Sequence, residues 1–310
     1  MRRLKMMPLL VAVALLCGCG HAAGVAEEKR QIVATNFVCY DFAREIAGEF
    51  ADVTLLIDPG TEVHAYEPSP ADILKMETAD LFVYIGGESD VWAEKLLSSF
   101  DDRKTRLCVR MMESVEVVLE EEHEAHEEHD HGEHLEYDDH ILTSPKNAVD
   151  MLDSLCEAMC VMDEAHRAQY TANAQAYIRQ IEEIDAAFEK VIQEGRLHTL
   201  IFADRFPFLY FVNAYHLDYL AAYPNCARDM EPSAQTMAEL IRAVEMDGVK
   251  TIFTIEMSSG SIARTIAEET GAEIATMHSC QNVTLEEFNR GETYVSLMRA
   301  NVDALRKGLA

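Results

Sequence analysis

The chain has 310 residues, with 26 Lys and Arg against 55 Asp and Glu and a formal net charge of −29. A chain of this length buries a sizeable core and points to two domains. A surface so acidic repels phosphate backbones, which argues against a nucleic-acid partner, while it attracts divalent cations.

Arg2, Arg3 and Lys5 precede an apolar run, Pro8 to Leu16, that is too short to span a bilayer. Leu16-Cys17-Gly18-Cys19 resembles a bacterial lipobox. Residues 1–18 therefore read as a lipoprotein signal peptide, Cys19 as the lipidated first residue of the mature chain, and 19–30 as a tether. The alternative is an ordinary secretory signal cleaved near His21-Ala22-Ala23. Both readings export the body, and lipidation holds it at the outer face of the cytoplasmic membrane. No later apolar run is long enough for a transmembrane helix.

Residues 31–162 read as an α/β domain. Strands are predicted at 31–35, 53–57, 81–85 and 115–119, and helices at 41–49, 69–78 and 90–100. Ser69 with Asp72 three residues on is the signature of a helix N-terminus. Between Glu120 and Asp139 the composition changes abruptly to eleven carboxylates, with His123, His126, His129, His131 and His134 among them. Residues 120–136 cannot bury enough surface to offset their ordering entropy and read as a disordered loop. Tyr137-Asp138-Asp139-His140-Ile141-Leu142 then turns apolar and runs into Ser144-Pro145, a helix start, so a fold should hold His140 rigidly. The helix extends to Met162.

Residues 163–195 carry apolar or small side chains at helical spacing, with no Pro or Gly before Gly195. A helix of this length is on the order of 45 Å long, which suits a spine between two domains. Residues 196–310 resume the alternation, with strands at 199–203, 219–222, 251–255 and 274–277. Helices are predicted at 207–215, 232–246, 261–270 and 285–309. The fold class is therefore α/β: two parallel-sheet lobes joined by one long rigid helix.

Open parallel sheets bind ligands beyond the carboxyl ends of their strands. His64 lies after strand 53–57, His140 in the connection after 115–119, Asp204 after 199–203, Glu256 after 251–255 and His278 after 274–277. Each has a structural alternative, as a cap, an ion pair or a packed ring, and His166, His198 and His216 are read as structural. Together they give potential metal ligands at the same edge of both lobes. Three imidazoles and one carboxylate suit tetrahedral Zn²⁺, whereas manganese prefers more oxygen. The histidines of the acidic loop would hold zinc weakly and raise its local concentration. Cys39, Cys108, Cys156, Cys160, Cys226 and Cys280 remain after the leader, without the CxxC spacing of a zinc site, and spacing alone does not fix their pairing.

The segments Val63-His64-Ala65-Tyr66-Glu67-Pro68-Ser69-Pro70 and His140-Ile141-Leu142-Thr143-Ser144-Pro145, followed by Ala203-Asp204-Arg205-Phe206-Pro207-Phe208 and His278-Ser279-Cys280-Gln281-Asn282-Val283, carry a resemblance. In this order they resemble the zinc-binding members of the metal-receptor family of ABC importers, which are solute-binding lipoproteins. The resemblance implies a monomeric, non-enzymatic receptor that captures Zn²⁺ outside the membrane and delivers it to a cognate permease subunit. It implies His64 and His140 as first-lobe ligands, with Asp204 where many zinc members carry a histidine and His278 where a carboxylate is common. That exchange leaves a manganese receptor as the alternative, and Glu62 or Glu256 as possible further ligands. It also makes a Cys226–Cys280 disulfide plausible. Two rivals from other classes are an exported zinc hydrolase, for which no HExxH-type helix is present, and an adhesin with structural zinc.

Overall fold

In the computed structural model, which describes residues 29–100, 107–119, 137–223 and 232–310, the apolar runs of each half form one parallel sheet. The lipobox with Cys19, the five histidines of the acidic loop and Cys226 lie outside the described residues.

The first half runs β1 (Arg30–Ala34), α1 (Phe37–Ala47), β2 (Ala51–Leu55), α2 (Pro70–Thr78), β3 (Leu81–Tyr84), α3 (Val91–Ser99) and β4 (Leu107–Arg110). After the acidic segment come α4 (Pro145–Met162) and the long α5 (Arg167–Glu194). The second half runs β5 (Thr199–Phe202), α6 (Leu209–Tyr215), β6 (Asp218–Ala221), α7 (Ala234–Asp247), β7 (Thr251–Thr254), α8 (Ser261–Thr270) and β8 (Glu273–Thr276), then α9 (Leu285–Arg290) and α10 (Tyr294–Gly308). The strand orders are β2-β1-β3-β4 and β6-β5-β7-β8, every pairing parallel. Each order reverses beside the first strand of its sheet, so both lobes open a crevice at the carboxyl edge.

Local chemistry accounts for most boundaries. Ser69 and Asp72 form the reciprocal capping box at the start of α2, and Ser144 caps α4 with Pro145 in its first turn. Helix α1 starts at Phe37, earlier than the predicted residue 41, because Asn36 accepts from the Cys39 amide and caps it. The predicted terminal helix 285–309 is two helices. Gly291 stops α9 in the left-handed region, and Thr293 with Ser296 caps α10.

One predicted strand is corrected. Residues 115–119 form no ladder strand; only Leu119 bridges Tyr137, and the fourth strand of the first sheet is β4. Val115 to Leu119 lies on the surface of the core, where the Val118 amide donates to the Tyr210 hydroxyl of α6 at 3.0 Å. Its backbone donor is thereby satisfied without a sheet neighbour.

Helix α5 joins the two sheets, and at about 1.5 Å per residue its 28 residues span roughly 42 Å. It is also packed along its length. Tyr170, Ala174, Tyr177, Ile181, Ile184, Phe188 and Val191 form a buried stripe that belongs to a core shared by both lobes and by α4 and α10. A large apolar side chain buried in this way contributes about 1.5–3 kcal/mol. The outer faces have cores of their own, around Phe82 and Met76 in the first lobe and around Ile252 and Leu240 in the second.

A polar knot fixes the three helices that meet here. Asp41 of α1 is fully buried and accepts from Tyr177 Oη of α5 at 2.5 Å, from the Tyr294 amide of α10 at 2.9 Å and from Arg44 at 2.8 Å. Burial pushes its carboxyl up to about 6 against the pull of these donors.

Candidate metal centre

The candidate ligands within the described chain lie in loops, outside the α-helices and strands of both lobes. His64 sits in a single helical turn, Val63–Ala65, after β2. His140 precedes another, Ile141–Thr143, that leads into α4. The structure brings these two rings together, with centroids 5.6 Å apart.

Each ring has its Nδ1 occupied. His140 Nδ1 lies 2.9 Å from Asp138 Oδ1, and the same oxygen accepts the His140 amide at 2.7 Å. A carboxylate only accepts, so Nδ1 of His140 is the donor and its basic lone pair is on Nε2. His64 Nδ1 lies 3.0 Å from Ser89 Oγ. The backbone around His140 is pinned from the other lobe. Tyr210 Oη donates to the Asp138 carbonyl at 2.8 Å, and Tyr294 Oη to the Leu142 carbonyl at 2.9 Å. Asp138, Asp139 and His140 are buried, and among the described residues they are the group whose ligand-type atoms all lie within 4.8 Å of one another.

Asp204 is buried at the end of β5. Its Oδ1 accepts the Arg205 amide at 2.9 Å, while Oδ2 is enclosed without a hydrogen-bond partner among the described residues. It lines a cavity of about 460 Å³ together with Glu62, Arg205, Tyr223 and Ser259. Glu62 comes from the His64 loop, and its Oε2 lies 3.4 Å from Arg205 Nη1. Asp204 thus faces the His64 loop across the crevice, but it is not grouped within 4.8 Å of the histidine pair.

His278 is placed differently. Its Nδ1 accepts the Cys280 amide at 2.9 Å, a turn made possible by Cys280 adopting φ +66°. With that lone pair used, a neutral ring carries its proton on Nε2, which lies 3.9 Å from Glu287 Oε2. Glu256 Oε2 lies 3.9 Å from Nδ1, so carboxylates stand beside both ring nitrogens. The His278 contact in turn holds Glu287 down at about 2. Asn301 of α10 brackets the His278 backbone, accepting its amide and donating to its carbonyl. Glu256 is committed to its own lobe, accepting from the Ser279 amide and the Ser279 hydroxyl. Cys280 is buried, with no disulfide partner among the described residues and Sγ 3.7 Å from the His278 carbonyl; its suggested partner Cys226 lies outside them.

Three residues at the site carry no sequence signal of their own. Ser89, in the turn before α3, touches His64, and Asp139 touches Ser89. Gln281, from the loop after β8, reaches the same serine, with Nε2 at 3.5 Å from Oγ. The Asp-Asp-His run marks Asp139 only as one more acidic residue beside the charged loop.

The profile of the family described as "Zinc-uptake complex component A periplasmic" matches residues 32–308. The zinc-binding lipoprotein AdcA of Streptococcus pneumoniae (strain ATCC BAA-255 / R6) is 29% identical over 308 residues, 99% of this chain and 61% of the relative. The chain thus spans about three-fifths of that relative's length. The high-affinity zinc uptake system protein ZnuA of Bacillus subtilis (strain 168) is 30% identical over 306 residues, 97% of this chain and 94% of the relative. Among solved structures, the Zn(II)-bound ZnuA-like domain of S. pneumoniae AdcA matches with a TM-score of 0.76 at 28% identity, covering 91% of this chain and 99% of that one. The metal-dependent lipoprotein YcdH of B. subtilis gives 0.77 at 26% identity, covering 91% and 100%.

Proposed function

We propose that this chain, which belongs to the periplasmic zinc-uptake component A family, is an extracytoplasmic receptor that captures Zn²⁺ as cargo and hands it to the permease of an ABC importer. The observation that carries the reading is the pair of imidazoles, His64 and His140, held 5.6 Å apart by loops at the carboxyl edge of one sheet. Two neutral histidines are the donors a zinc site needs, and hydrogen bonds at Nδ1 are the means by which proteins orient them.

Asp204 is the carboxylate from the second lobe, and its enclosed Oδ2 is the oxygen offered to the metal. Approach of the lobes across the crevice would bring it to the histidine pair. His278, the fourth residue assigned from the sequence, joins the set only by releasing the Cys280 amide; as placed, it serves its own loop. Cys19 would anchor the chain through lipid, the acidic loop would collect zinc beside the site, and Cys226 with Cys280 would staple the second lobe. No bond chemistry is required of any of these groups.

Competitive titration of Zn²⁺ against Mn²⁺, with metal analysis of the protein as purified, tests this reading. Tight one-to-one zinc binding that manganese does not displace is expected. Preferential binding of manganese would move the chain to the other metal class of the family. Zinc-dependent hydrolysis of generic ester or peptide substrates would point to an enzyme instead.

A further inference from the structure

We propose that Ser89 is a positioning residue that sets the tautomer of His64, relaying the charge of Asp139 to a ring it does not touch and tying it to Gln281 of the other lobe. The inference rests on His64 being a ligand, as argued above.

A serine hydroxyl has one proton and two lone pairs. Ser89 is buried, and both its amide, at 3.0 Å, and its Oγ, at 2.5 Å, point to the same oxygen, Oδ2 of Asp139. A carboxylate has nothing to donate, so the hydroxyl proton is spent on Asp139. A charge-assisted bond to a carboxylate is stronger than one to a neutral acceptor. His64 Nδ1, 3.0 Å from the same Oγ, must then be a donor. A bare Nδ1 would set one lone pair against another. His64 is thereby held with its proton on Nδ1 and its basic lone pair on Nε2.

The second lone pair of Ser89 Oγ faces Nε2 of Gln281 at 3.5 Å. The amide must present nitrogen there rather than oxygen, because the hydroxyl has no proton left to give. Gln281 is also buried, and its backbone carbonyl accepts the Phe37 amide at 3.2 Å. The loop after β8 is therefore tied both to the start of α1 and to the serine that orients His64. Ser89 is the atom-level link between the second lobe and the geometry of a first-lobe ligand.

The two adjacent aspartates divide their work. Asp138 orients His140 directly, and Asp139, whose Oδ1 lies 3.5 Å from His140 Nδ1, turns its other oxygen to Ser89 and through it orients His64. A carboxylate behind a ligating histidine fixes its orientation and raises its basicity, and loss of such a partner costs about 10–100-fold in metal affinity.

The test is made on the full chain labelled with ¹⁵N-histidine. Long-range ¹H–¹⁵N spectra of the metal-free protein report which ring nitrogen carries the proton, and the His64 signal is assigned by its loss in His64→Ala. The wild type should show His64 protonated on Nδ1. Ser89→Ala should abolish that preference and lower zinc affinity about 10–100-fold; Ser89→Thr, which keeps the hydroxyl, should restore both. Asp139→Asn, which removes the charge but keeps an acceptor, provides an intermediate variant should Ser89→Ala fail to fold, with a smaller loss of affinity. An Nδ1-protonated His64 that persists in Ser89→Ala, or in the wild type a ring protonated on Nε2, would overturn the relay. So would a changed tautomer with unchanged zinc affinity. Failure of the wild type to bind zinc would overturn the receptor reading instead, and the tautomer spectra would still decide the relay.

Discussion

Asparagine at position 41 should remove one specific pH dependence of stability. Asp41 is fully buried where α1, α5 and α10 meet, and burial lifts its carboxyl from 3.8 to about 6. In the unfolded chain it titrates near its ordinary value. Between these two values the native state binds the proton more tightly, so stability falls as pH rises through the window and is flat above it. A shift of about 2 units corresponds to roughly 3 kcal/mol, since one unit is about 1.4 kcal/mol. Asn keeps an oxygen for the Tyr177 hydroxyl or the Tyr294 amide but cannot ionise. Urea unfolding of wild type and Asp41→Asn at steps from pH 3.5 to 7 isolates the residue, because every other titrating group cancels in the difference. The wild type should lose about 3 kcal/mol relative to the variant over that range. A difference that stays level, or moves in favour of the wild type as pH rises, would refute the reasoning. It would mean that Tyr177, Tyr294 and Arg44 outweigh burial and hold the carboxylate charged.

The remaining predictions concern the site and the docking of the last helix. His64→Ala and His140→Ala should each weaken zinc binding on the order of 100-fold, about 3 kcal/mol, if a total of roughly 10–16 kcal/mol divides over four ligands. His278→Ala should cost less than either, because its Nδ1 lone pair is committed to Cys280; isothermal titration of the three variants checks the ranking. Removing residues 121–136 should leave the tight site intact and lower the total zinc bound, as read by metal analysis. Gly308→Ala drives a methyl group into the Phe253 ring. Overpacking of about 1–3 kcal/mol should exceed the gain in helix propensity of up to about 1 kcal/mol, lowering stability in urea.

The fold was largely legible because hydrophobic period and capping residues are local. Ser69 with Asp72 and Ser144 with Pro145 mark helix starts whatever surrounds them. The misplaced strand shows the limit of that reading. Val115 to Leu119 has the composition of a strand, but β4, with the plainer run Leu-Cys-Val-Arg, holds the place beside β3. Which of two short segments pairs with β3 depends on the sheet edge, not on either segment alone. In the same way, Gly291 and Thr293 together break a helical pattern that periodicity runs straight through.

At the site, the strand-end reading holds for His64, after β2, while His140 follows a segment that is no strand; the two rings meet all the same. What the sequence hid is what surrounds them. Ser89 is a single polar residue in a turn, and its hydrogen bond to Asp139 spans fifty positions, with no pattern to announce it. The left-handed turn at Cys280, which commits His278 to its own loop, is likewise invisible without a glycine to mark it.

The most direct test of the account is X-ray absorption at the zinc edge of the one-to-one complex of the chain lacking residues 121–136. The account predicts a four-coordinate shell of nitrogen and oxygen at about 2.0–2.1 Å, with the outer-shell scattering of at least two imidazoles. Loss of one imidazole in His64→Ala and in His140→Ala should follow. A sulfur shell near 2.3 Å, or a shell with imidazole content unchanged in both variants, would contradict it.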